Sequence, residues 1–458
     1  MSSRPIHLVG VGGAGMSGLA RLAAQAGYRV SGTDREEGPA LAALRVEGID
    51  ARAGHDAGAV PDDVEAVVVS TAIPEHNPDV VEARRRGVPV LHRADLLAEL
   101  MERRRGLAVA GAHGKSTTSA MLALALGDAS ACIGATTEAG AGTGASWGEG
   151  EWFVAEADES DRSLLRLAPE AAVITNVDHD HHTHFPTIES VEEVFRDFLG
   201  RLPADGVYVA GPDERARALA DAAPCPSLRV GPGGDLWVQE DPDGARAVTA
   251  DGESVALRLG VPGDHNRDNA ACALLLARWC GVPLDVAADR LAGFHGVGRR
   301  FEERGVAGGV RVVDDYAHHP AELRATLAAA RESGPSRVVA VFQPHLYSRT
   351  EALHEELGSA LGAADLAVVT EIYAAREEPS PGVTGRLVAD AVPSGTATVF
   401  APTLDDAARV VVETARDGDL VLTLGAGDVT ILGKELLTRL GNEFGHGESD
   451  REQRPSTP

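Results

Sequence analysis

The sequence predicts an α/β protein of three domains: an N-terminal Rossmann-like domain, a central α/β domain of the phosphate-loop type and a C-terminal Rossmann-like domain. The chain has 458 residues, enough for about three domains of roughly 150 residues. Short apolar runs lead into glycine turns at Gly10 and Gly111. The last third alternates strand and helix patterns, which is typical of doubly wound sheets. The expected domains are residues 1–104, 105–297 and 298–442, followed by a disordered tail at 443–458.

The composition excludes two classes of partner. The formal charge is −27 at pH 7, and so acidic a protein repels nucleic acid and anionic membranes. The chain starts directly with a strand pattern and has no apolar run approaching roughly 18 residues. We therefore expect a soluble cytoplasmic protein that is a monomer or a weak homodimer. The four cysteines lack a paired metal spacing and are expected to be buried free thiols: Cys132, Cys225, Cys272 and Cys280.

The first domain opens with the outline of a dinucleotide-binding fingerprint. A buried strand at Ile6–Val9 leads into a glycine turn and a helix that ends near Ala26. A second strand begins at Tyr28 and ends at Asp34. The glycines let the backbone approach a diphosphate, and Asp34 could accept a hydrogen bond from a ribose hydroxyl. The same turn suits a sugar nucleotide, so a dehydrogenase and a sugar-nucleotide enzyme both remain open at this point.

The second glycine turn organises the middle of the chain. It lies between an apolar run at Leu107–Ala110 and a helical pattern at Ser119–Leu126. Backbone N–H groups and the positive end of a helix dipole meet in such a turn, where Lys115 adds a charge for nucleotide phosphates. Ser116 would place a hydroxyl on Mg²⁺. The full motif has a glycine where this chain has Val109, so an ordinary strand-to-helix turn is the alternative.

The lysine of this turn stands out against the composition. Of the 42 basic residues only Lys115 and Lys434 are lysines. A compact ammonium and a planar guanidinium are not equivalent phosphate ligands. The presence of lysine here therefore favours a phosphate-binding turn.

Acids and histidines follow the next two strand patterns. The strand at Trp152–Ala155 ends at Glu156, where a carboxylate that holds Mg²⁺ is expected opposite a phosphate loop. We expect the three acids that follow Glu156 to form a solvated loop. The strand at Ala172–Thr175 leads into a segment rich in histidine and aspartate at 178–184. Adjacent loop histidines rarely converge on zinc, so only His181 is assigned, on the Mg²⁺ side.

Two asparagines precede the next helical pattern, at Ala271–Trp279. Asn266 and Asn269 lie one helical turn apart, so both amides could contact one base edge. A helix cap with exposed amides is the alternative.

Polar segments follow the strand patterns of the last third. Such segments, at the carboxyl ends of parallel strands, face the ligand crevice in doubly wound folds. Those expected here begin at Asp314, Phe342, Tyr373 and Gly425. The predicted strands are Val310–Asp314, Arg337–Phe342, Leu366–Thr370, Thr396–Phe400 and Leu420–Leu424, with a helix at Ala321–Ala330.

Eight motifs in order carry a resemblance to a known family. They are GVGGAGMSGLA from Gly10, AGAHGKSTT from Ala110, FVAEADESD from Phe153, TNVDHDH from Thr175, DHNRDNA from Asp264, GVGRRFE from Gly296, DDYAHHP from Asp314 and FQPHLYSRT from Phe342. Over almost the whole chain, to about residue 440, the sequence resembles the Mur ligases of peptidoglycan synthesis. The GGxGM pattern of the first turn separates it from the murein peptide ligases of that family.

The resemblance implies a three-domain ligase that uses ATP and Mg²⁺. L-Alanine would be joined to the lactyl carboxylate of UDP-N-acetylmuramate through an acyl phosphate, with release of ADP and phosphate. The UDP-sugar would bind to the first domain, so that the first glycine turn cradles uridine diphosphate and not NAD. The alternatives are a murein peptide ligase, an NAD-binding dehydrogenase and a nucleotide-sensing module without chemistry.

The resemblance also implies a role for each matched residue. The UDP-sugar is expected at Gly10, Gly12, Gly13, Ala14, Gly15, Met16, Asp34 and Ser70. ATP is expected at Gly111, Ala112, His113, Gly114, Lys115, Ser116, Thr117, His265, Asn266, Asn269, Arg300 and Asp315. The metal is expected at Ser116, Glu156 and His181, and the catalytic residues at Lys115, Glu156, His181, His318, His345 and Arg349. The last three match positions near the incoming alanine and the sugar-linked acid.

Two positions depart from the family pattern. Leu346 stands where many relatives have arginine, which leaves alanine-carboxylate binding there open. The segment at 182–185 replaces one that contains a tyrosine in the family. No residue stands out as the base for the alanine amine, and His318 and His345 are the candidates.

Overall fold

Strands and helices alternate along most of the chain, as the sequence predicts. The computed structural model describes residues 4–134, 144–180, 185–242, 244–375 and 377–449. The chain divides into two units, formed by residues up to 260 with 267–295, and by 261–266 with the residues from 296 onward. The predicted α/β class is confirmed. None of the helices in the described ranges has the length and apolarity needed to cross a bilayer.

The first unit begins with a five-stranded parallel sheet in the order β3-β2-β1-β4-β5. The chain order reverses between β1 and β4, and the first glycine turn lies at this switch point, where doubly wound folds bind ligands. The elements are β1 (Pro5–Val9), α1 (Ala14–Gln25), β2 (Arg29–Asp34), α2 (Pro39–Val46), β3 (Asp50–Ala53), β4 (Ala66–Val69), α3 (Pro78–Arg86), β5 (Val90–His92) and α4 (Arg93–Met101).

The second sheet of this unit has the order β12-β11-β10-β6-β9-β7-β8, and only its β7–β8 pair is antiparallel. Strand β6 lies between β9 and β10, so the turn that follows β6 is flanked by the ends of both neighbours. The elements are β6 (Arg105–Ala110), α5 (Lys115–Leu126), β7 (Ser130–Cys132), β8 (Ala145–Ser146), β9 (Trp152–Glu156), β10 (Ala171–Ile174), α6 (Ile188–Leu199), β11 (Val207–Ala210), α7 (Glu214–Ala218) and β12 (Ser227–Arg229).

A small antiparallel sheet and two helices complete the first unit. The sheet has the order β13-β14-β15 and was not predicted, because its short strands lack a long apolar run. The elements are β13 (Leu236–Asp241), β14 (Gly244–Thr249), β15 (Ser254–Ala256), α8 (Asp264–Trp279) and α9 (Leu284–Leu291). The first residues of α8 belong to the second unit.

The second unit contains a six-stranded sheet in the order β16-β17-β21-β18-β19-β20. The five predicted strands are parallel, and the unpredicted edge strand β16 pairs antiparallel with β17. The elements are β16 (Glu302–Ala307), β17 (Val310–Asp315), α10 (Pro320–Glu332), β18 (Arg337–Phe342), α11 (Tyr347–Leu361), β19 (Leu366–Val369), α12 (Gly385–Asp390), β20 (Ala397–Phe400), α13 (Leu404–Thr414), β21 (Asp419–Leu424) and α14 (Ile431–Ser449).

One apolar core runs through both large sheets of the first unit. Leu22 of α1, Phe153 of β9 and Phe195 of α6 are fully buried members of the same cluster. Helix α1 also packs against β8, where a Cβ on Gly18 would lie 3.3 Å from the Cβ of Ala145. The two large α/β layers of the first unit therefore share one apolar core.

Three local expectations are corrected. Helices α5 and α8 begin at Lys115 and Asp264, several residues earlier than predicted, because polar motif residues form their first turns.

The expected disorder from residue 443 is wrong up to Ser449, since α14 continues to that residue. Helix elongation costs little once α14 is anchored by its buried leucines. The four cysteines are free as predicted, but only Cys272 is buried.

Candidate active site

The turn after β6 adopts a shape that only glycine accommodates at two places. Gly111 has φ +128°, and a Cβ there would lie 2.1 Å from the Thr175 hydroxyl oxygen. Gly114 has φ +80°, and a Cβ there would lie 2.5 Å from Oδ1 of Asn269. Both φ values lie in the region that side chains disfavour. The glycines thus let the turn lie against β10 and α8, and the backbone then enters α5 at Lys115.

Residues after β10 hold the middle of this turn. The His113 N–H donates to Oδ1 of Asn176 at 2.9 Å, and the Asn176 amide donates to the His113 carbonyl at 3.0 Å. The Thr175 hydroxyl donates to the same carbonyl at 2.6 Å. The His113 ring lies 3.2 Å from a carboxylate oxygen of Asp178. Sequence analysis missed Asn176, whose role depends on the adjacency of β6 and β10.

Lys115 is held by three oxygen acceptors. Its ammonium donates to the carbonyls of Gly111 at 2.6 Å and Ala112 at 3.0 Å, and to Oε1 of Glu159 at 3.0 Å. Burial lowers the pKa of Lys115, but the charges of Glu159, Asp158 and Glu156 outweigh burial and the pKa is raised. The ammonium therefore keeps its charge inside the loop.

Glu159 corrects the expected solvated acidic loop. The residue is 2% exposed, and burial raises its pKa to about 7 despite the opposing effect of Lys115. A buried carboxylate needs such a charge partner. The sequence offered no signal for its burial beyond the cluster of acids.

Ser116 and Glu156 face each other as predicted for a metal site. The Ser116 hydroxyl lies 3.0 and 2.9 Å from the two Glu156 carboxylate oxygens, and the Gly134 N–H donates to Oε2 at 2.7 Å. Glu156 pairs with Val109 in the β6–β9 register, which carries it to the phosphate turn. Hydroxyl and carboxylate oxygens are the donors that Mg²⁺ prefers, so this set fits the ion. His181 lies outside the described residues.

The amides expected to contact adenine are partly engaged within the protein. In the first unit, Oδ1 of Asn269 accepts from the Thr118 hydroxyl at 3.0 Å. In the second unit, the Asn266 amide donates to the Pro262 carbonyl at 2.7 Å, and His265 is half-buried. Their contacts with a base remain a prediction.

The first glycine turn is braced by Asp34. Its Oδ2 accepts from the Gly12 N–H at 2.8 Å and its Oδ1 from the Arg35 N–H at 2.7 Å. The Gly10 N–H donates to the Thr33 carbonyl at 2.7 Å. Gly13, Ala14 and Gly15 are exposed at the start of α1, whereas the Met16 side chain is buried and Ser70 is half-buried after β4. The ribose contact of Asp34 remains a prediction, and its carboxylate shapes this turn.

A cavity of about 110 Å³ lies between the first glycine turn and Glu156. Gly15 and Leu19 of α1 line one side, and Gly134 and Glu156 line another. Arg93 of α4 also lines it, and its guanidinium lies 3.6 Å from Asp158 and 3.7 Å from Asp161. The cavity therefore connects the start of α1 with the Glu156 carboxylate.

In the second unit, Asp315 is a buried acceptor at the end of β17. It accepts from the N–H groups of Phe301 at 2.7 Å and Ala317 at 2.8 Å, and from the Thr326 hydroxyl at 3.2 Å. Burial raises its pKa to about 6, although Arg300 acts in the opposite direction.

Arg300 pairs with Glu322, a residue that sequence analysis missed. The two side chains approach to 3.3 Å, and the guanidinium lies 5.1 Å from the centre of the Tyr316 ring. Glu322 also accepts from the N–H groups of His318 and His319. The spacing from His319 to Glu322 is that of a capping box, which could have revealed this residue.

The structure brings His318, His345 and Arg349 together, as the resemblance implies. The two rings are 5.9 Å apart and nearly perpendicular, and Nη1 of Arg349 lies 3.3 Å from Nδ1 of His345. The His345 ring stacks on Tyr373 at 5.8 Å. Leu346, with φ +70°, donates its N–H to the Tyr373 carbonyl at 3.0 Å.

Three family models match the chain in order. The Mur ligase family catalytic domain matches residues 5–105, the Mur ligase middle domain matches 109–277, and the Mur ligase glutamate ligase domain matches 299–427.

Full-length relatives and a solved structure agree with these matches. A UDP-N-acetylmuramate–L-alanine ligase of Saccharopolyspora erythraea is 46% identical, over 97% of this chain and 95% of its own. One from Mycolicibacterium smegmatis is 47% identical, over 95% of each chain. The crystal structure of the UDP-N-acetylmuramate-alanine ligase of Thermotoga maritima is 28% identical, covers 95% of this chain and 98% of its own, and superposes with a TM-score of 0.79. Together with the phosphate turn, Glu156 and the His318–His345 pair, these likenesses confirm the predicted family: the chain belongs to the Mur ligases.

Proposed function

We propose that this protein is an ATP-dependent ligase that joins L-alanine to the lactyl carboxylate of UDP-N-acetylmuramate, a step of peptidoglycan precursor synthesis. The observation that carries the proposal is the phosphate turn with Lys115 and with Ser116 facing Glu156. The Mur ligases are ATP-dependent, and the full-length relatives bear this activity in their names. Solved murein peptide ligases share the fold but superpose less well, with TM-scores of 0.70 and 0.59, and a dehydrogenase would account for the first glycine turn alone.

The reaction follows from the poor reactivity of a carboxylate toward an amine. The lactyl carboxylate attacks the γ-phosphorus of ATP, which yields an acyl phosphate and ADP. The neutral amine of alanine then attacks the acyl carbon, the bond to the phosphate oxygen breaks, and phosphate leaves with the proton lost by nitrogen. Negative groups approach one another in the first step, so stabilisation of charge dominates catalysis.

The phosphate turn supplies that stabilisation. The Lys115 ammonium and N–H groups of the segment from Gly111 to Ser116, with Thr117 beside them, would hold the ATP phosphates. The N–H groups of Ala112 and His113 donate to Asn176 and would have to leave it to take part. The Ser116 hydroxyl and Glu156 would hold Mg²⁺, with His181 on the same side. When bound, the ion offsets the charge of the transferring phosphoryl group. In this protein phosphate oxygens would compete with Glu159 and the two carbonyls for the Lys115 ammonium as the nucleotide binds.

The remaining roles extend this proposal. The turn from Gly10 to Met16, with Asp34 and Ser70, binds the uridine diphosphate of the sugar substrate. His265, Asn266 and Asn269 contact adenine, Arg300 the phosphates and Asp315 the ribose. His318, His345 and Arg349 serve alanine and the sugar-linked acid.

We also propose the domain boundaries at residues 104 and 297, each between two large sheets. The free cysteines agree with a reducing compartment, and nucleotide substrates agree with the cytoplasm. A monomer or weak homodimer remains our prediction for the oligomeric state.

Phosphate release from ATP tests the function directly. Release should require UDP-N-acetylmuramate and should be fastest with L-alanine in a panel of amino acids and the tripeptide used by murein peptide ligases. Hydroxylamine added in place of alanine should trap the acyl phosphate as a hydroxamate. ATP cleavage that is indifferent to the UDP-sugar, or amide formation without ATP consumption, would contradict the proposal.

A further inference from the structure

Four buried polar side chains form a cluster beside the first glycine turn, and none of them has a role in the proposed reaction. They are between 0 and 8% exposed: His7, Ser31, Thr33 and Asp79. His7 is paired with Ser31 in the β1–β2 register, and Thr33 lies two residues further along β2, so these three side chains share one face of the sheet. Asp79 belongs to the first turn of α3. Buried polar groups need hydrogen-bond partners, and the partners of these four show which segments the cluster holds together.

Asp79 is the common partner in this cluster. Its Oδ2 accepts from the Thr33 hydroxyl and lies 3.5 Å from Nε2 of His7 and 3.6 Å from Nδ1 of His55, which follows β3. The other ring nitrogen of His7 contacts the Ser31 hydroxyl at 2.9 Å. Burial acts to raise the pKa of Asp79, but the hydrogen bonds from His7 and Thr33 outweigh burial and the pKa is lowered. One carboxylate oxygen therefore joins α3 to β1, β2 and the segment after β3.

The other oxygen of this carboxylate indicates that the arrangement does not serve stability alone. Oδ1 of Asp79 has no hydrogen-bond partner among the residues that the structure describes. A buried charge that is only partly satisfied is a weak source of stability, and apolar residues are often as stable at such sites. The carboxylate is nevertheless held in place, since the Asn77 side chain accepts from the Asp79 N–H at 3.0 Å. Its position therefore has a further reason.

Thr33 connects the cluster with the first glycine turn. Its hydroxyl donates to the carboxylate of the cluster, while its carbonyl accepts from the N–H groups of Gly10 at 2.7 Å and Val11 at 2.9 Å. The next residue, Asp34, accepts from the Gly12 N–H at 2.8 Å. Two adjacent residues at the end of β2 thus hold three successive N–H groups of the turn, and they set the direction in which the backbone enters α1.

The end of β2 lies too close to this turn to move without it. Gly32 precedes Thr33, and its Cα faces the opposite side of the sheet. A Cβ on Gly32 would lie 2.6 Å from the Leu8 carbonyl oxygen and 2.8 Å from the Cβ of Val11. Because packed segments transmit displacements, a shift of Thr33 would also move the glycine turn.

We propose that Asp79 is a positioning residue for the UDP-sugar site: through the Thr33 hydroxyl it fixes the end of β2 and, with it, the first glycine turn. This assignment rests on the proposed function, in which that turn binds the uridine diphosphate. Asp79 is 0% exposed, so it acts through Thr33 and not on the substrate. Backbone groups bind a ligand best when they are held in place beforehand. Loss of this connection should therefore weaken the binding of UDP and leave the phosphate turn after β6 unaffected.

Replacing Thr33 by valine removes the connecting hydroxyl and keeps a β-branched side chain in the strand. In calorimetric titrations without ATP, Thr33→Val should raise the Kd of UDP and of UDP-N-acetylmuramate by the same factor, about tenfold, because both ligands carry the diphosphate. The Kd of a non-hydrolysable ATP analogue should not change. In turnover, the KM for UDP-N-acetylmuramate should rise by a similar factor at an almost unchanged kcat, as expected for lost substrate binding.

Three variants separate positioning from stability. Thr33→Ser keeps the hydroxyl and should bind UDP as the wild type does. Thr249→Val makes the same change at another buried threonine of the first unit, whose hydroxyl donates to Asp251. It should lower the free energy of unfolding in urea but leave the Kd of UDP unchanged. The double variant Thr33→Val with Asp79→Ala should bind UDP no more weakly than Asp79→Ala alone, because both changes break the same connection.

Four results would overturn the assignment. They are a wild-type Kd of UDP in Thr33→Val, an equal loss of affinity for the ATP analogue, a loss in Thr33→Ser as large as that in Thr33→Val, and losses that add in the double variant. All four leave the proposed ligase activity in place. A wild-type protein that binds neither UDP nor UDP-N-acetylmuramate would overturn the proposed function itself, and the assignment with it.

Discussion

Replacing Lys115 by alanine tests the phosphate turn and its buried partner together. The change removes the ammonium that lies 3.0 Å from Glu159 and should abolish turnover by orders of magnitude, since phosphate transfer loses its fixed positive charge. It also leaves a carboxylate that is 2% exposed without its partner. Removal of one member of a buried ion pair costs about 3–5 kcal/mol, and this cost applies above pH 7, where the Glu159 carboxyl of the wild type is ionised.

The pH dependence of that cost follows from the pKa of Glu159. Its pKa is about 7 with the ammonium present, and it must rise further when the ammonium is removed. Below pH 7 both proteins fold with a largely neutral carboxyl, so the stability gap is constant. Above pH 7 the wild-type carboxyl is ionised in the folded and unfolded states alike. Its contribution to the free energy of unfolding therefore no longer changes with pH. The variant must keep its carboxyl protonated to fold, so the gap should widen by about 1.4 kcal/mol per pH unit.

Urea unfolding followed by circular dichroism between pH 6 and pH 9 measures this gap. The double variant Lys115→Ala with Glu159→Gln removes the titrating group, so its gap to wild type should not widen above pH 7. Both variants should be equally inactive, which separates lost catalysis from lost stability. A gap in Lys115→Ala that is flat from pH 7 to pH 9, or equal widening in the double variant, would refute the pairing.

Three further predictions concern the turn, the metal and the second unit. Gly114→Ala should weaken ATP binding, because the new Cβ would lie 2.5 Å from Oδ1 of Asn269. It should also lower the free energy of unfolding by more than the roughly 1–2 kcal/mol that a side chain costs in left-handed backbone. Gly233 is a matched control, since its φ is +75° and a Cβ there would meet no atom within 4 Å. Gly233→Ala should therefore lose only the backbone contribution to stability in urea unfolding and should not change an ATP titration. Equal losses of stability in the two variants would contradict the contact between the Gly114→Ala Cβ and Asn269. Ser116→Ala should raise the Mg²⁺ concentration for half-maximal activity by roughly tenfold or more. Ser116→Thr keeps a hydroxyl and should not change this concentration. An unchanged Mg²⁺ titration in the Ser116→Ala variant would show that the hydroxyl is not part of the metal site. Asp315 has a pKa of about 6 in the folded protein, so the wild type should lose about 3 kcal/mol of stability relative to Asp315→Asn as the pH rises from about 3 to about 7. Parallel stability curves of these two proteins over that range would contradict the buried carboxyl.

Much of the candidate site could be predicted because its signals are local in the chain. A glycine turn between a strand and a helix needs no distant partner, and Lys115 and Ser116 follow from that turn alone. Glu156 was found because a strand end carries its acid to the ligand edge of a parallel sheet. The β6–β9 register places it beside Ser116 as expected.

Other residues depended on contacts that no local pattern encodes. Asn176 and Glu159 serve the phosphate turn because β10 and β9 flank β6 in the sheet, an order that the sequence does not state. The extension of α14 to Ser449 was missed because composition alone suggested disorder. Both errors arise where the neighbours of a segment, and not its own residues, set its free energy.

The sequence by itself determined the α/β class, the two glycine turns and the order of the motifs that mark the family. These depend on backbone freedom, apolar periodicity and residue identity, which are properties of short segments. Only the tertiary structure decided that Glu159 is the acid that pairs with Lys115 and that Asn176 holds the middle of the phosphate turn. Burial and hydrogen-bond partners come from residues far apart in the chain, and they set the charge state of buried groups such as Lys115 and Glu159.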